Sequence, residues 1–179
     1  MLETLKVTLD ANTNLTPEVK ENLMELITVF ASNEAFKGVD LSNLNERLKD
    51  LRIKRESKFL VRMPCRYNAF TNEILINEEM FKASDARHWL MHALLCVITG
   101  NENRYGFTTM DNKMIALCEG YTEILTNYLV GDVDNNYFTD EIIMTNLISK
   151  VIGEDTLFEA YFNNDSEKVL KAMVDAEGK

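Results

Sequence analysis

Apolar residues recur along this chain with two periods, and the change from one to the other divides it. Thr16-Pro17-Glu18 offers a capping hydroxyl followed by proline at a first helical position, and Leu23, Leu26, Ile27 and Phe30 follow at helical spacing. The spacing predicts an amphipathic helix over about 17–31. Leu41, Leu44, Leu48 and Leu51 predict a shorter one ending near Lys49. The period then shortens. "KFLVRMPC", 58–65, is rich in strand formers and is stopped by Pro64. "FTNEILIN", 70–77, places Ile74 and Ile76 on one face with period two. With "RYNA" between them, these stretches predict a hairpin or two strands of a small sheet.

From Ser84 the helical period returns. Ser84 and Asp85 can cap a helix whose apolar residues are Leu90, Met91, Leu94, Leu95 and Ile98, ended by Thr99-Gly100-Asn101. A polar loop, "NENRYGFTTMDN", leads to a strong helix from about Asp111 to Leu129, closed by Gly131-Asp132. "DVDNNYF" reads as a turn; it lacks the glycine and closing glutamate of a calcium loop. Three amphipathic segments follow, at 139–150, 154–162 and 165–175. With no repeat, low-complexity tract or linker, the expectation is one α+β domain over 1–179, dominated by helices. It divides into an N-terminal helical segment (1–55), a core (56–131) and a helical tail (132–179).

Composition narrows the function classes. At 179 residues, 46% hydrophobic and 27% charged, the chain has the balance of a soluble globular protein. A formal charge of −10 argues against a nucleic-acid partner, which needs a concentrated basic surface. The one basic cluster, Arg47 to Lys58, is interspersed with acids and reads as a solvated face. No apolar run reaches bilayer length and the N-terminus lacks a signal-peptide pattern, so no membrane partner is expected. Cys65, Cys96 and Cys118 show no repeated spacing, which suits reduced thiols in a cytoplasm.

Candidate chemistry lies in "HWLMHALLC", 88–96. HExxH zinc peptidases place two histidines one helical turn apart with a glutamate beside the first. His88 and His92 have that spacing, with Trp89 at the glutamate position. Shifted by four residues, "HALLC" gives His92 first, Ala93 at the base position and Cys96 second. A third ligand can come from "LCEGYTEILTNYL", where Glu119 precedes a glycine and Glu123 lies one turn on. On residue type alone, each has a plainer reading. His92 is a core histidine, His88 a partly exposed residue near a helix start, and Cys96 an inert buried thiol. Glu119 is a surface acid or a partner of Arg87 or Arg104, and Glu123 an i,i+4 partner of Asn127. Trp89 is a packing anchor and Cys118 a core residue. Tyr105, Tyr121, Tyr128 and Tyr137 are candidate donors among which the sequence does not choose.

Taken in order, "LMHALLCVITG", "NRYGF" and "LCEGYTEILT" resemble the zinc helix, glycine turn and NEGxTE helix of small bacterial zincin-like metallopeptidases of the gluzincin type. "YNAFTNEILIN" resembles the edge strand beside the zinc helix, and "LISKVIGEDTLFEAYFNND" the helical tail. The likeness runs over about residues 58–165. It implies a zincin-like α+β fold with a short antiparallel sheet packed on the metal-site helices. The Leu94-Leu95 pair and the "LM" before His92 favour the frame His92, Cys96 and Glu119 as degenerate ligand positions, with His88, His92 and Glu119 as the alternative. In the family, Glu123 would play an outer, supporting part.

Neither frame supplies the base that takes a proton from zinc-bound water, a loss worth about 10²–10⁴-fold in rate. The resemblance therefore implies a catalytically inactive member that keeps its former substrate cleft for a peptide or protein. No stoichiometric cofactor is expected, and zinc is the ion such a site would take. Two alternatives stay open: an active zinc peptidase using His88, His92 and Glu119 with an unusual base, and a helical interaction protein unrelated to zincins.

Overall fold

The computed structural model describes residues 1–57, 63–102, 104–109, 111, 113–132 and 137–178. Among them the fold is α+β and mostly helical, with one three-stranded sheet.

The chain opens with a helix that the sequence reading passed over: α1, Leu2–Ala11, which buries Leu5 and Leu9. Helix α2 (Pro17–Ser32) begins where its cap predicts, with Thr16 accepting from the Val19 N–H. It buries Leu23, Leu26, Ile27 and Phe30. Helix α3 (Ser42–Leu48) buries Leu44 and Leu48 and packs on α1. Asn12 ties this layer together, donating to the carbonyls of Leu48 and Leu51 at 2.8 and 3.0 Å.

The sheet departs from expectation in three ways. Strand β1 (Arg52–Glu56) lies inside the basic cluster; its side chains do face solvent, but its backbone pairs in parallel with β3 (Glu73–Asn77). Strand β2 (Cys65–Asn68) pairs antiparallel with β3, so the sheet is mixed rather than antiparallel. The expected strand over 58–65 falls largely on 58–62, outside the described residues, and "RYNA" supplies most of β2 rather than a turn. The turn sits one step later. Asn68 Oδ1 accepts from the N–H groups of Phe70 and Thr71, and Asn72 takes a left-handed φ of 54°. With order β1-β3-β2, the expected edge strand is the central one. Residue type explains this: all five residues of β3 are buried, whereas β1 exposes Arg52, Lys54 and Arg55 as an edge should.

Helix α4 (Ala86–Ile98) buries ten of its thirteen residues, as a helix apolar nearly all round must. It packs on β2, α2 and α5 (Ile115–Val130). Helix α5 starts four residues later than the pattern suggests, after Met114 at φ 60°. The tail forms α6 (Thr139–Ile152), α7 (Glu154–Phe162) and α8 (Ser166–Glu177). Residues 133–136 of the expected "DVDNNYF" turn lie outside the described residues. Gly120 sets the approach of α6 to α5, since a Cβ there would stand 2.3 Å from the Glu141 carbonyl oxygen. No helix among the described residues is long and apolar enough to cross a membrane.

Candidate functional site

Helices α4 and α5 run antiparallel, so the i,i+4 pair His88/His92 faces the i,i+4 pair Glu119/Glu123. All four are buried, with Glu119 the most exposed at 9%. The surface readings of His88, Glu119 and Glu123 are thus corrected. The seam between two such apolar helices buries them, with Glu119 alone reaching the margin of a cleft.

Each histidine is placed differently. His88 Nδ1 lies 3.2 Å from the Gly131 carbonyl and Nε2 lies 3.0 Å from Glu123 Oε1. A ring whose nitrogens both face acceptors donates from both, which is the imidazolium form. Burial by itself would lower the His88 pKa, but the hydrogen bond and charge of Glu123, with help from Gly131, carry it above the ordinary value. His92 Nε2 stands 3.5 Å from Glu119 Oε2 and 3.8 Å from Glu123 Oε2, and makes no hydrogen bond. Its ring stacks on Phe138 at 5.3 Å and meets Trp89 edge-on. Burial, reinforced by the nearby His88 charge and opposed by Glu123, lowers its pKa to about 4.

Glu119 Oε1 accepts from the Tyr105 hydroxyl at 3.0 Å. Burial raises its pKa to about 7; the Tyr105 hydrogen bond opposes the rise, and Glu123 and Glu141 add to it. Tyr105 is therefore the tyrosine that reaches the site. Arg87 is committed elsewhere, to Glu25. Asn127 is no partner of Glu123, and its Oδ1 is without one. Cys96 and Cys118 are buried as expected, and burial followed by the Glu119 charge pushes both thiols well above their ordinary pKa. Ala93 and Trp89 are both buried, and Trp89 is the expected packing anchor, in ring contact with His88, His92, Tyr137 and Phe138.

Above Glu119 opens a cleft of about 690 Å³, whose walls include Arg66, Tyr67 and Asn68 of β2, Tyr105, Ala116 and Phe138. Edge strand β2, not the 70–77 segment, is the strand that borders it.

Comparison with known proteins finds no matching family model, curated protein or solved structure. The zinc implied by the resemblance is therefore tested on the residues themselves. The frame His92, Cys96 and Glu119 brings His92 and Glu119 to 3.5 Å, with Cys96 one turn further along α4. The frame His88, His92 and Glu119 offers a His88 whose two nitrogens are already engaged. Neither triplet fits a metal as it stands. Among the described residues, no three His, Cys, Asp or Glu side chains surround one metal-sized point.

Sequence reasoning missed Glu123 as a core residue. The signal was there: its spacing from Glu119 equals that of His88 from His92, and facing helices bring matched pairs into register.

Proposed function

We propose that this chain is a catalytically inactive, metallopeptidase-like protein of zincin-like architecture, whose cleft holds an extended peptide or protein segment. The observation that carries the reading is the position of the cleft. It runs along an edge strand and ends on Glu119, which faces His92 at 3.5 Å across the α4–α5 seam. Peptidases of this kind need that layout to hold a substrate, and they need a base beside the first ligand to cut it. Ala93 has nothing to titrate, and Trp89 is committed to packing.

Strand β2 is suited to peptide addition. Asn77 N–H bonds the Pro64 carbonyl, and the antiparallel ladder alternates from that pair, which turns the backbone groups of Cys65 and Tyr67 away from β3 toward the edge that no strand among the described residues covers. An added strand gains main-chain hydrogen bonds there, and the cleft walls read its side chains. The test is selection from a displayed decapeptide library, followed by anisotropy titration of the selected peptide. Exposed Ala116 lines the cleft, so Ala116→Trp should weaken binding by at least about tenfold, as should N-methylation of alternate peptide bonds. Failure to enrich any peptide, or binding indifferent to both changes, would refute the reading.

A further inference from the structure

The other edge of the sheet is β1, and it borders a groove. Arg52 N–H donates to the Asn72 carbonyl, and the Glu56 carbonyl accepts from the Glu78 N–H. Arg52, Lys54 and Glu56 thus direct their backbone groups at β3. The residues between them point the other way. Ile53 and Arg55 each turn an N–H and a C=O toward an edge that no strand among the described residues covers. Their side chains also share one face of the sheet, because the facing of side chains alternates with the same period.

That face is incompletely filled. Between β1, the start of α2 and the start of α4 lies a groove of about 550 Å³, with Ile53 and Arg55 on one wall. Val19, Phe81 and Leu90 line it too and, like Ile53, are only half-buried. The size is that of a ligand-binding pocket. Ala83 and Leu90 also line a smaller hollow of about 230 Å³, so the channel runs on past α2 to the Glu25–Arg87 ion pair. A long apolar channel beside free backbone groups matches an extended chain better than a compact molecule.

Charge narrows the occupant. Strand β1 carries three cations and one carboxylate within a chain of net charge −10. On the face away from the groove, Arg52 and Lys54 share the single carboxylate of Glu73. On the groove side, Arg55 is exposed and has no ion-pair partner among the described residues. A second copy of β1 would set cations mainly against cations, which is destabilising across a strand pair, whereas an acidic strand is attracted.

We propose that the β1 edge and its groove bind an extended acidic segment of a partner protein, with aliphatic side chains entering the groove over Ile53, Phe81 and Leu90. Acids on alternate positions lie beside Arg52 and Lys54. The site is independent of the β2 cleft: the two edges flank β3 on opposite sides, so either can be filled without the other.

The experiment is an anisotropy titration of the full chain into a dye-labelled, end-capped octapeptide of alternating glutamate and valine. Its lysine–valine counterpart serves as control. The acidic peptide should bind saturably and the basic one should not. Arg55→Glu should weaken binding by at least about tenfold, as should Ala83→Trp, which fills the groove from an exposed position. Arg55→Pro, which removes an outward N–H and leaves the β1–β3 bonds intact, should weaken it more than Arg55→Gln. Ala116→Trp, in the β2 cleft, should leave it unchanged. Circular dichroism checks folding, and the Ala83→Trp arm keeps the test decisive should the β1 variants unfold. Four results would overturn the proposal: no saturable binding of the acidic peptide, equal binding of both peptides, binding lost in Ala116→Trp but kept in Arg55→Glu and Ala83→Trp, or sedimentation showing a dimer of the free chain that Arg55→Pro splits.

Discussion

The leucine layer at the N-terminus and the α4–α5 seam are both buried, yet they are built on opposite principles. In the first, α1, α2 and α3 bring together Leu5, Leu9, Leu23, Ile27, Leu44 and Leu48, all nearly inaccessible. Its contacts are non-directional, and each methylene removed from water adds to stability. In the seam, four ionisable side chains share a space where leucines would pack, and two of their polar atoms have no hydrogen-bond partner. Burying such groups costs more than their mutual attraction returns unless every one is satisfied. The leucine layer holds the domain together, and the seam is a local cost that such apolar packing offsets.

The difference between the two regions is greatest at the His88–Glu123 pair. His88→Ala leaves Glu123 buried without its donor and should cost about 3–5 kcal/mol in urea melts. Replacing both His88 and Glu123 by leucine should recover most of the loss, because no uncompensated group is left behind. A double variant as unstable as His88→Ala would show that the pair itself stabilises the fold.

The leucine layer answers with Leu44→Ala, which empties a fully buried site and should cost about 2–5 kcal/mol. No second substitution nearby should restore it except one that refills the volume. The opposite sign is expected at His92. In chelator-treated protein, His92→Phe removes an unsatisfied nitrogen from beside Phe138 and should be neutral or stabilising by about 1 kcal/mol. A loss of 2 kcal/mol or more would place His92 among the stabilising residues.

A subtler signature is the pH dependence. The Glu119 pKa is raised to about 7 from an ordinary 4.5, so between those values the folded state holds a proton the unfolded chain releases. Its contribution to stability therefore falls as pH rises from about 4.5 to about 7. His92, lowered to about 4, works in the opposite direction between about 4 and 6.5, so the two largely offset each other in the wild type. His88, raised above its ordinary 6.5, adds stability at low pH that is lost as pH climbs through its folded value. Glu119→Gln removes only the first of these. Relative to the wild type, it should gain stability steadily from pH 4.5 to 7 and no further above, as read from Tm across buffers. A difference independent of pH would contradict the burial of an ionisable Glu119.

The same contrast explains what could be read from the sequence. Helical periodicity gave α2 through α8 to within a few residues because apolar faces dictate them: Leu23, Leu26, Ile27 and Phe30 leave little choice. It passed over α1, whose Leu2, Leu5 and Leu9 make a short stripe without a strong cap. The sheet was harder. Parallel pairing of β1 with β3 rests on backbone bonds between segments about twenty residues apart, which no local pattern encodes. In the site, His92 and Glu119 could be named from spacing and resemblance. Glu123 could not be weighed correctly, because a glutamate one turn from the end of a motif looks like a surface residue until the facing helix is known.

The proposal that the cleft binds but does not hydrolyse peptides is tested by incubation with casein and a degenerate decapeptide pool, with and without added Zn²⁺. Products are followed by mass spectrometry, with Glu119→Ala as the paired control. No cleavage above buffer is expected in any sample, because neither Ala93 nor Trp89 offers a titratable group at the position of the peptidase base. Chelator-sensitive cleavage by the wild type that disappears in Glu119→Ala would contradict it.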